Sequence, residues 1–125
     1  MAKFKISGTH ETPSVLIDDK KGAIEIKGRS TVQDPVHFYS SIVEKLNTCI
    51  ENGIVFRDVN IQLTYINTSS SKWIYHIFRN LENLYEKSKT MQINWFYEED
   101  DETIQEAGED YQSLLRIPFN MIEVR

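Results

Sequence analysis

A run of four hydroxyl side chains, Thr68 to Ser71, lies in the middle of the sequence between Asn67 and Lys72. A hydroxyl can accept a phosphoryl group, which adds roughly −1.5 to −2 charges and three hydrogen-bond acceptors at pH 7. At the start of a helix, that phosphate would face free backbone N–H groups and the positive end of the helix dipole, and Lys72 could pair with it. Asn, Ser and Thr are also preferred N-cap residues. The pattern alone therefore fits either a phosphorylation switch or ordinary helix capping.

The acidic run at residues 98–102 is a second group with possible chemistry. Carboxylates bind hard divalent cations, but this run lacks the interleaved spacing and the glycine of a calcium loop. Carboxylates are also favoured at the N-terminus of a helix. We expect that role for the run, or contact with a partner protein, in preference to metal binding.

The remaining reactive side chains show no catalytic pattern. The three histidines lie far apart and form no zinc spacing with one another or with Cys49. Cys49 falls on the apolar stripe of a predicted helix, which favours a buried structural thiol. Trp73 and Trp95 could anchor an interface, although such residues more often pack in the core. No phosphate-binding glycine loop, nucleophile elbow or dinucleotide fingerprint is present, so we expect neither an enzyme nor a cofactor.

The whole chain has the size and composition of one globular domain. It has 125 residues, of which 40% are hydrophobic and 26% charged. The net charge of −5 argues against a nucleic-acid partner. No apolar stretch is long enough to span a membrane, the N-terminus does not resemble a signal peptide, and a single cysteine fits a reducing compartment. We therefore expect a cytoplasmic protein whose partners are proteins or small molecules.

The elements that must position the hydroxyl run follow from hydrophobic periodicity. The predicted order is β-β-α-β-α-β-α-β, typical of an α/β fold in which helices pack on a mixed sheet. Asp34 and Pro35 suit the N-cap and first position of a helix, and Asn52 with Gly53 suits its end. The predicted strands are 15–17, 23–27 (ended by Gly28), 59–65, 91–97 and 119–124; residues 1–14 are assigned to turns, and Gly108 is expected to interrupt the last helix.

Four segments carry a resemblance to a known family. They are residues 8–13 (GTHETP), 65–72 (YINTSSSK), 94–101 (NWFYEEDD) and 106–111 (EAGEDY). In this order and over nearly the whole chain, they resemble the SiaC family of bacterial regulatory phosphoproteins, which is related in fold to the STAS-domain anti-sigma factor antagonists. The resemblance implies one STAS-like α/β domain over residues 1–125.

The resemblance also selects residues within the hydroxyl run. It implies that the phosphoacceptor is the threonine after the asparagine, Thr68, with Ser69, Ser70 and Ser71 as neighbouring alternatives. The same segment is then expected to bind the partner protein through Asn67, Thr68, Ser69 and Lys72.

Partners follow from the resemblance in the same way. It implies a partner-switching module with a Ser/Thr protein kinase, a PP2C-type phosphatase and a diguanylate cyclase. The unphosphorylated protein would bind the cyclase and raise its production of cyclic di-GMP, which controls biofilm formation and aggregation, and phosphorylation would block that binding. The alternative is a STAS-like antagonist that releases a sigma factor from an anti-sigma kinase.

Overall fold

The computed structural model of the protein describes residues 3–32 and 34–125. This part of the chain forms six strands and three helices, which confirms the predicted α/β class. The strands are β1 (Lys3–Ile6), β2 (Ser14–Asp18), β3 (Ala23–Ser30), β4 (Asp58–Ile66), β5 (Gln92–Glu98) and β6 (Phe119–Val124), and the helices are α1 (Pro35–Glu51), α2 (Thr68–Ser88) and α3 (Glu102–Leu114).

The six strands form one mixed sheet in chain order. β1 and β3 both pair antiparallel with β2, whereas β3, β4, β5 and β6 run parallel to one another. Each parallel connection contains one helix. Since parallel strands all point the same way, the segments that follow β3, β4 and β5 lie together at the carboxyl ends of these strands. The hydroxyl run lies at that end of the sheet.

The core lies between one face of the sheet and the helices. Along the central strands, buried Ile61 and Trp95 alternate with residues of the opposite face. On that opposite face the side chains of Asn60, Asn94 and Asn120 form a hydrogen-bonded row across β4, β5 and β6, with N···O distances of 2.8 and 2.9 Å. The amides satisfy one another there, which explains why polar residues alternate with apolar ones in these strands.

Helix α1 begins and ends where the sequence predicts. Asp34 is its N-cap, Pro35 its first residue and Asn52 its C-cap. Cys49 faces the core and is only 4% exposed, so the prediction of a buried thiol is confirmed. Burial raises the pKa of that thiol. Within the described residues, no helix has both the length and the apolar character needed to cross a bilayer.

Two predicted strand boundaries are wrong. Residues 3–6 are not turn but strand β1, which pairs with β2 at the edge of the sheet. Their sequence, KFKI, alternates between polar and apolar residues, a strand pattern that the prediction overlooked. Gly28 does not end the second predicted strand, because β3 continues to Ser30. Instead, the ladder with β4 shifts register between Gly28 and Arg29. Gly28 has a φ of +117°, which is accessible to glycine and strained for other residues.

The expected interruption at Gly108 is also wrong. Helix α3 is continuous from Glu102 to Leu114. Gly108 is buried on its inner side, where a β-carbon would lie 2.5 Å from Trp95 Nε1 and 2.9 Å from the methyl group of Met121. The glycine therefore serves close packing of the helix on β5 and β6 and does not break the helix.

Candidate functional site

Asn67 fixes the start of α2. Its side-chain oxygen accepts a hydrogen bond of 2.9 Å from the backbone N–H of Ser70, so it is the N-cap. Its backbone N–H donates to the carbonyl of Ser30 at 2.9 Å, and its side-chain amide donates to the carbonyl of Val32 at 3.4 Å. Asn67 therefore ties the first turn of α2 to the end of β3 and to the segment that follows it.

The four hydroxyl side chains of the run differ in accessibility. Thr68 and Ser69 are exposed, whereas Ser70 is completely buried. Ser71 is half-buried, and its hydroxyl donates to the carbonyl of Thr68 at 2.9 Å. An enzyme can therefore reach Thr68 and Ser69 on the folded protein, but it can reach Ser70 only after the first turn of α2 has opened.

Tyr39 of α1 lies beneath this first turn. Its hydroxyl shares a hydrogen bond of 2.5 Å with the buried hydroxyl of Ser30. The buried hydroxyl of Ser70 has no hydrogen-bond partner among the described residues. Burial raises the pKa of Tyr39, against a smaller lowering by the nearby hydroxyls of Ser30 and Ser70. A neutral phenol thus joins α1, the end of β3 and the underside of α2.

Tyr111 of α3 holds the same turn from another side. Its hydroxyl donates to the carbonyl of Ser71 at 2.8 Å. Burial raises the pKa of Tyr111, against a smaller lowering by the bond to Ser71. Helix α3 is itself held close to β5, because Trp95 Nε1 donates to the carbonyl of Ile104 at 2.9 Å and because Gly108 allows close approach.

The loop at residues 8–13 completes the surroundings. The side-chain oxygen of Thr9 accepts the backbone N–H groups of Glu11 and Thr12 at 3.1 and 3.0 Å, which gives the loop a defined shape. The carbonyl of Glu11 accepts the N–H of Thr31 at 2.9 Å, and Thr31 directly follows Ser30. The start of α2 lies in one family-like segment, residues 65–72. The other three connect to it, residues 106–111 directly, residues 94–101 through α3 and residues 8–13 through Thr31 and Ser30.

A comparison with protein families decides the identity of the chain. Residues 6–124 match the family described as SiaC family regulatory phosphoprotein. This protein belongs to the SiaC family. An uncharacterised protein of Pseudomonas aeruginosa (strain UCBPP-PA14) is 24% identical over 119 residues, which cover 95% of this chain and 94% of that relative.

Solved structures share the fold of this SiaC-family protein. SiaC of Pseudomonas aeruginosa is similar with a TM-score of 0.89 at 22% identity, over 99% of this chain and 100% of that one. A chain in the crystal structure of the diguanylate cyclase SiaD in complex with its activator SiaC, also from Pseudomonas aeruginosa, gives a TM-score of 0.90 at 22% identity, over 97% and 99%. Both likenesses confirm the mixed α/β fold; the STAS-like grouping stays a prediction.

In this SiaC-family protein the acidic run caps a helix. Asp101 is the N-cap of α3, and its carboxylate accepts the N–H of Ile104 at 3.0 Å. Glu102 lies in the first turn, where the helix dipole favours it, and Glu99 pairs with Arg125 at 3.3 Å. In residues 3–32 and 34–125, no three His, Cys, Asp or Glu side chains come together as metal ligands.

The two tryptophans have different roles. Trp95 is fully buried in the core of this SiaC-family protein. Trp73 is half-buried on α2 and stacks on Tyr39 with a ring-centre distance of 6.2 Å. Lys72 is the fifth residue of α2 and is exposed. It follows Thr68 by four residues and therefore lies on the same face of the helix, one turn further along.

Sequence reasoning missed two residues that hold the site together, Ser30 and Tyr39. Tyr39 lies on the buried stripe of α1, three residues before Ile42, and its hydroxyl bonds to that of Ser30, which is contributed by a different element. No local signal links the two residues. Tyr111 was recognised as part of a family-like segment, but its bond to Ser71 joins positions 40 residues apart, and periodicity within one helix carries no information about such a contact.

Proposed function

We propose that this protein is a regulator with no catalytic activity of its own, switched by phosphorylation of Thr68. The unphosphorylated form binds and activates a diguanylate cyclase, and the phosphorylated form does not. The observation that carries the proposal is that Thr68 is exposed as the first residue of a helix whose start is fixed by Asn67. The family is one of regulatory phosphoproteins, and a SiaC of the same fold is described as an activator in complex with a diguanylate cyclase.

The accessibility of the four hydroxyls supports Thr68 as the acceptor. Ser70 is buried, and the hydroxyl of Ser71 is half-buried and already hydrogen-bonded. Of the two exposed hydroxyls, Thr68 directly follows the N-cap, the position that the family resemblance selects. Ser69 is the nearest alternative acceptor.

The physical effect of the phosphate follows from its place. A phosphate on Thr68 would project from the N-terminal end of α2, beside the exposed side chains of Ser69 and Lys72. If a partner covers this end of the helix, it must bury the dianion. Burying an unpaired charge costs several kcal/mol, which is enough to dissociate a complex of ordinary affinity. A partner that offers basic groups, such as a kinase or phosphatase acting on this residue, would not be excluded.

The proposed module has three protein partners. A Ser/Thr protein kinase adds the phosphate, a PP2C-type phosphatase removes it, and the diguanylate cyclase is the output. In the cytoplasm, the kinase and the phosphatase would act on one domain spanning residues 1–125, which in turn would act on the cyclase. The regulator would use no cofactor. Asn67 contributes by positioning Thr68, whereas Thr68, Ser69 and Lys72 contact the partner.

The phosphoacceptor can be identified by coexpressing the protein with the Ser/Thr protein kinase of the proposed module, followed by intact-mass measurement and peptide mapping. We expect one phosphate on wild-type protein, none on Thr68→Ala, and one on Ser69→Ala. Phosphate at a site outside residues 68–71, or on Thr68→Ala to the same extent, would contradict the proposed switch.

The output is tested separately by the rate of cyclic di-GMP synthesis. We expect the diguanylate cyclase of the proposed module to be activated by wild type and by Thr68→Ala, and not by Thr68→Asp. If the protein instead binds an anti-sigma kinase and releases a sigma factor, with no effect on a cyclase, the antagonist function is correct.

A further inference from the structure

A shallow groove lies on the exposed face of α2, one helical turn beyond Thr68. It is lined by Lys72, Trp73 and His76 and has a volume of about 220 Å³. Thr68, Lys72 and His76 are spaced by four residues, so they form one row along the helix. Groove and phosphoacceptor therefore belong to one continuous surface.

The indole of Trp73 forms the apolar floor of this groove and is held in place. One face of the ring stacks on Tyr39 at 6.2 Å with nearly parallel planes. The ring of His76 packs edge-on against Trp73 at 5.4 Å. The indole remains only half-buried. A large aromatic side chain that is already immobilised and partly exposed loses little entropy when a partner covers it, which is why such residues act as anchors at interfaces.

The groove has a positive charge in an acidic protein. The chain has a net charge of −5, yet the charged side chain of the groove lining is Lys72, and no carboxylate belongs to the lining. The positive end of α2 lies one turn away. A segment with a carboxylate is complementary to this surface, because both Lys72 and the positive N-terminal end of α2 would attract its negative charge.

The geometry points to this groove as the docking site for a segment of the partner protein that carries a carboxylate beside an apolar side chain. The apolar side chain covers Trp73, and the carboxylate pairs with Lys72. The inference rests on the proposed function, since the partner is the cyclase that the unphosphorylated protein binds. It adds the chemistry of the contact and the residues beyond the hydroxyl run that make it.

The same arrangement explains how phosphorylation would act at a distance of one turn. A phosphate on Thr68 lies four residues before Lys72, the spacing at which side chains of opposite charge pair on a helix. It would therefore compete with the carboxylate of the partner for Lys72 and repel that carboxylate as well. Partner release then requires no unfolding of α2.

Titration of the cyclase with charge-reversed variants tests the inference. We expect Lys72→Glu to bind about tenfold more weakly than wild type or worse, and Lys72→Arg to stay within about threefold. The matched control is Lys87→Glu, an exposed lysine near the other end of the same helix, for which we expect less than about a twofold change. Affinity of wild type should fall as salt rises, and more steeply than that of Lys72→Glu.

Trp73 needs a second variant, because removing its ring also removes the stack on Tyr39. Trp73→Ala is expected to lose binding, and its circular dichroism and melting temperature show whether it is folded. His76 is exposed, but its ring packs against Trp73, so the folding of His76→Glu is checked in the same way. This variant carries the test if Trp73→Ala unfolds, and we expect it to weaken binding by about tenfold.

The outcomes separate the inference from the proposed function. If wild type binds the cyclase and both Lys72→Glu and His76→Glu bind equally well, the groove is not the docking site, although the proposed function stands. Tighter binding of Lys72→Glu would mean a basic partner segment and would overturn the inference. If wild type forms a dimer that Lys72→Glu abolishes, the occupant is a second copy of the chain. If wild type binds no cyclase, the proposed function fails, and the inference fails with it.

Discussion

The hydroxyl of Tyr111 donates a hydrogen bond of 2.8 Å to the backbone carbonyl of Ser71. The bond joins α3 to the first turn of α2, while the Tyr39 hydroxyl lies beneath the same turn and bonds to Ser30. Asn67, the residue before this turn, donates hydrogen bonds to the backbone carbonyls of Ser30, at the end of β3, and of Val32. The segment around Thr68 is therefore held from three elements. We infer that it is presented to partners in a preformed conformation and that a phosphate changes its charge more than its shape.

Replacing Tyr111 with Phe removes one hydrogen bond and keeps the packing of the ring. The carbonyl of Ser71 can still accept a backbone N–H within α2. We therefore expect the free energy of unfolding to fall by only about 1 kcal/mol. Urea denaturation measures this loss. The matched control is Tyr97→Phe, because the hydroxyl of Tyr97 makes no hydrogen bond within the described residues. Equal losses of stability in the two variants would show that the bond to Ser71 adds nothing.

Alkaline pH should lower the stability of the folded protein through the same residue. Burial raises the pKa of Tyr111 in the folded protein, so above about pH 10 the unfolded chain releases the phenolic proton while the folded chain keeps it. The unfolded state then binds fewer protons, and stability falls as pH rises. Below about pH 10 the contribution is fully present.

Comparison with Tyr111→Phe isolates that effect from other alkaline titrations. We expect the stability advantage of wild type over Tyr111→Phe to shrink by up to about 1.4 kcal/mol per pH unit above about pH 10. Urea midpoints at several pH values measure it. An advantage that stays constant, or grows with pH, would mean that Tyr111 is not buried as a neutral phenol.

Two substitutions of Asn67 separate its roles. Asn67→Ala loses the cap to Ser70 and the bond to Val32, and we expect it to lower the free energy of unfolding by about 1–2 kcal/mol. Asn67→Asp keeps the acceptor for the Ser70 N–H but loses the donor to Val32, so its loss should be smaller. Thermal and urea unfolding of both variants would check this order. A larger loss for Asn67→Asp than for Asn67→Ala would contradict the assigned bonds.

Gly108 is predicted to be intolerant of even one methyl group. In Gly108→Ala the new β-carbon would overlap Trp95 and the end of Met121, and we expect a loss of about 1–3 kcal/mol through overpacking. This is notable because alanine is the better helix former, so propensity alone predicts a gain. Glu109→Ala, at the next and exposed position, is the control and should be within about 0.5 kcal/mol of wild type.

The parts of the fold set by local rules were predictable from the sequence. Asp34 and Pro35 define the start of α1 because capping depends on neighbours in the chain, and the hydroxyl run after Asn67 marks the start of α2 for the same reason. The expected interruption at Gly108 was wrong because this glycine allows close contact with Trp95, which belongs to another element. Such a tertiary contact outweighs helix propensity.

The site was only partly predictable for the same physical reason. The position of the hydroxyl run at a helix start follows from local pattern, whereas the choice among its hydroxyls depends on burial. Ser70 lies on the buried stripe of α2, four residues before Ile74 and seven before Ile77, whereas Ser69 is exposed. That helical spacing distinguishes Ser70 from its neighbours, but it carries no information about the bonded pair Tyr39 and Ser30, which comes from other elements.

The most direct test of the central claim is the affinity of one cyclase for two forms of this protein. Protein phosphorylated stoichiometrically at Thr68, and the same preparation after phosphatase treatment, should be titrated against the purified diguanylate cyclase by calorimetry. We predict that the dephosphorylated form binds and the phosphorylated form binds at least about a hundredfold more weakly. Equal affinity of the two forms would show that Thr68 does not control partner binding.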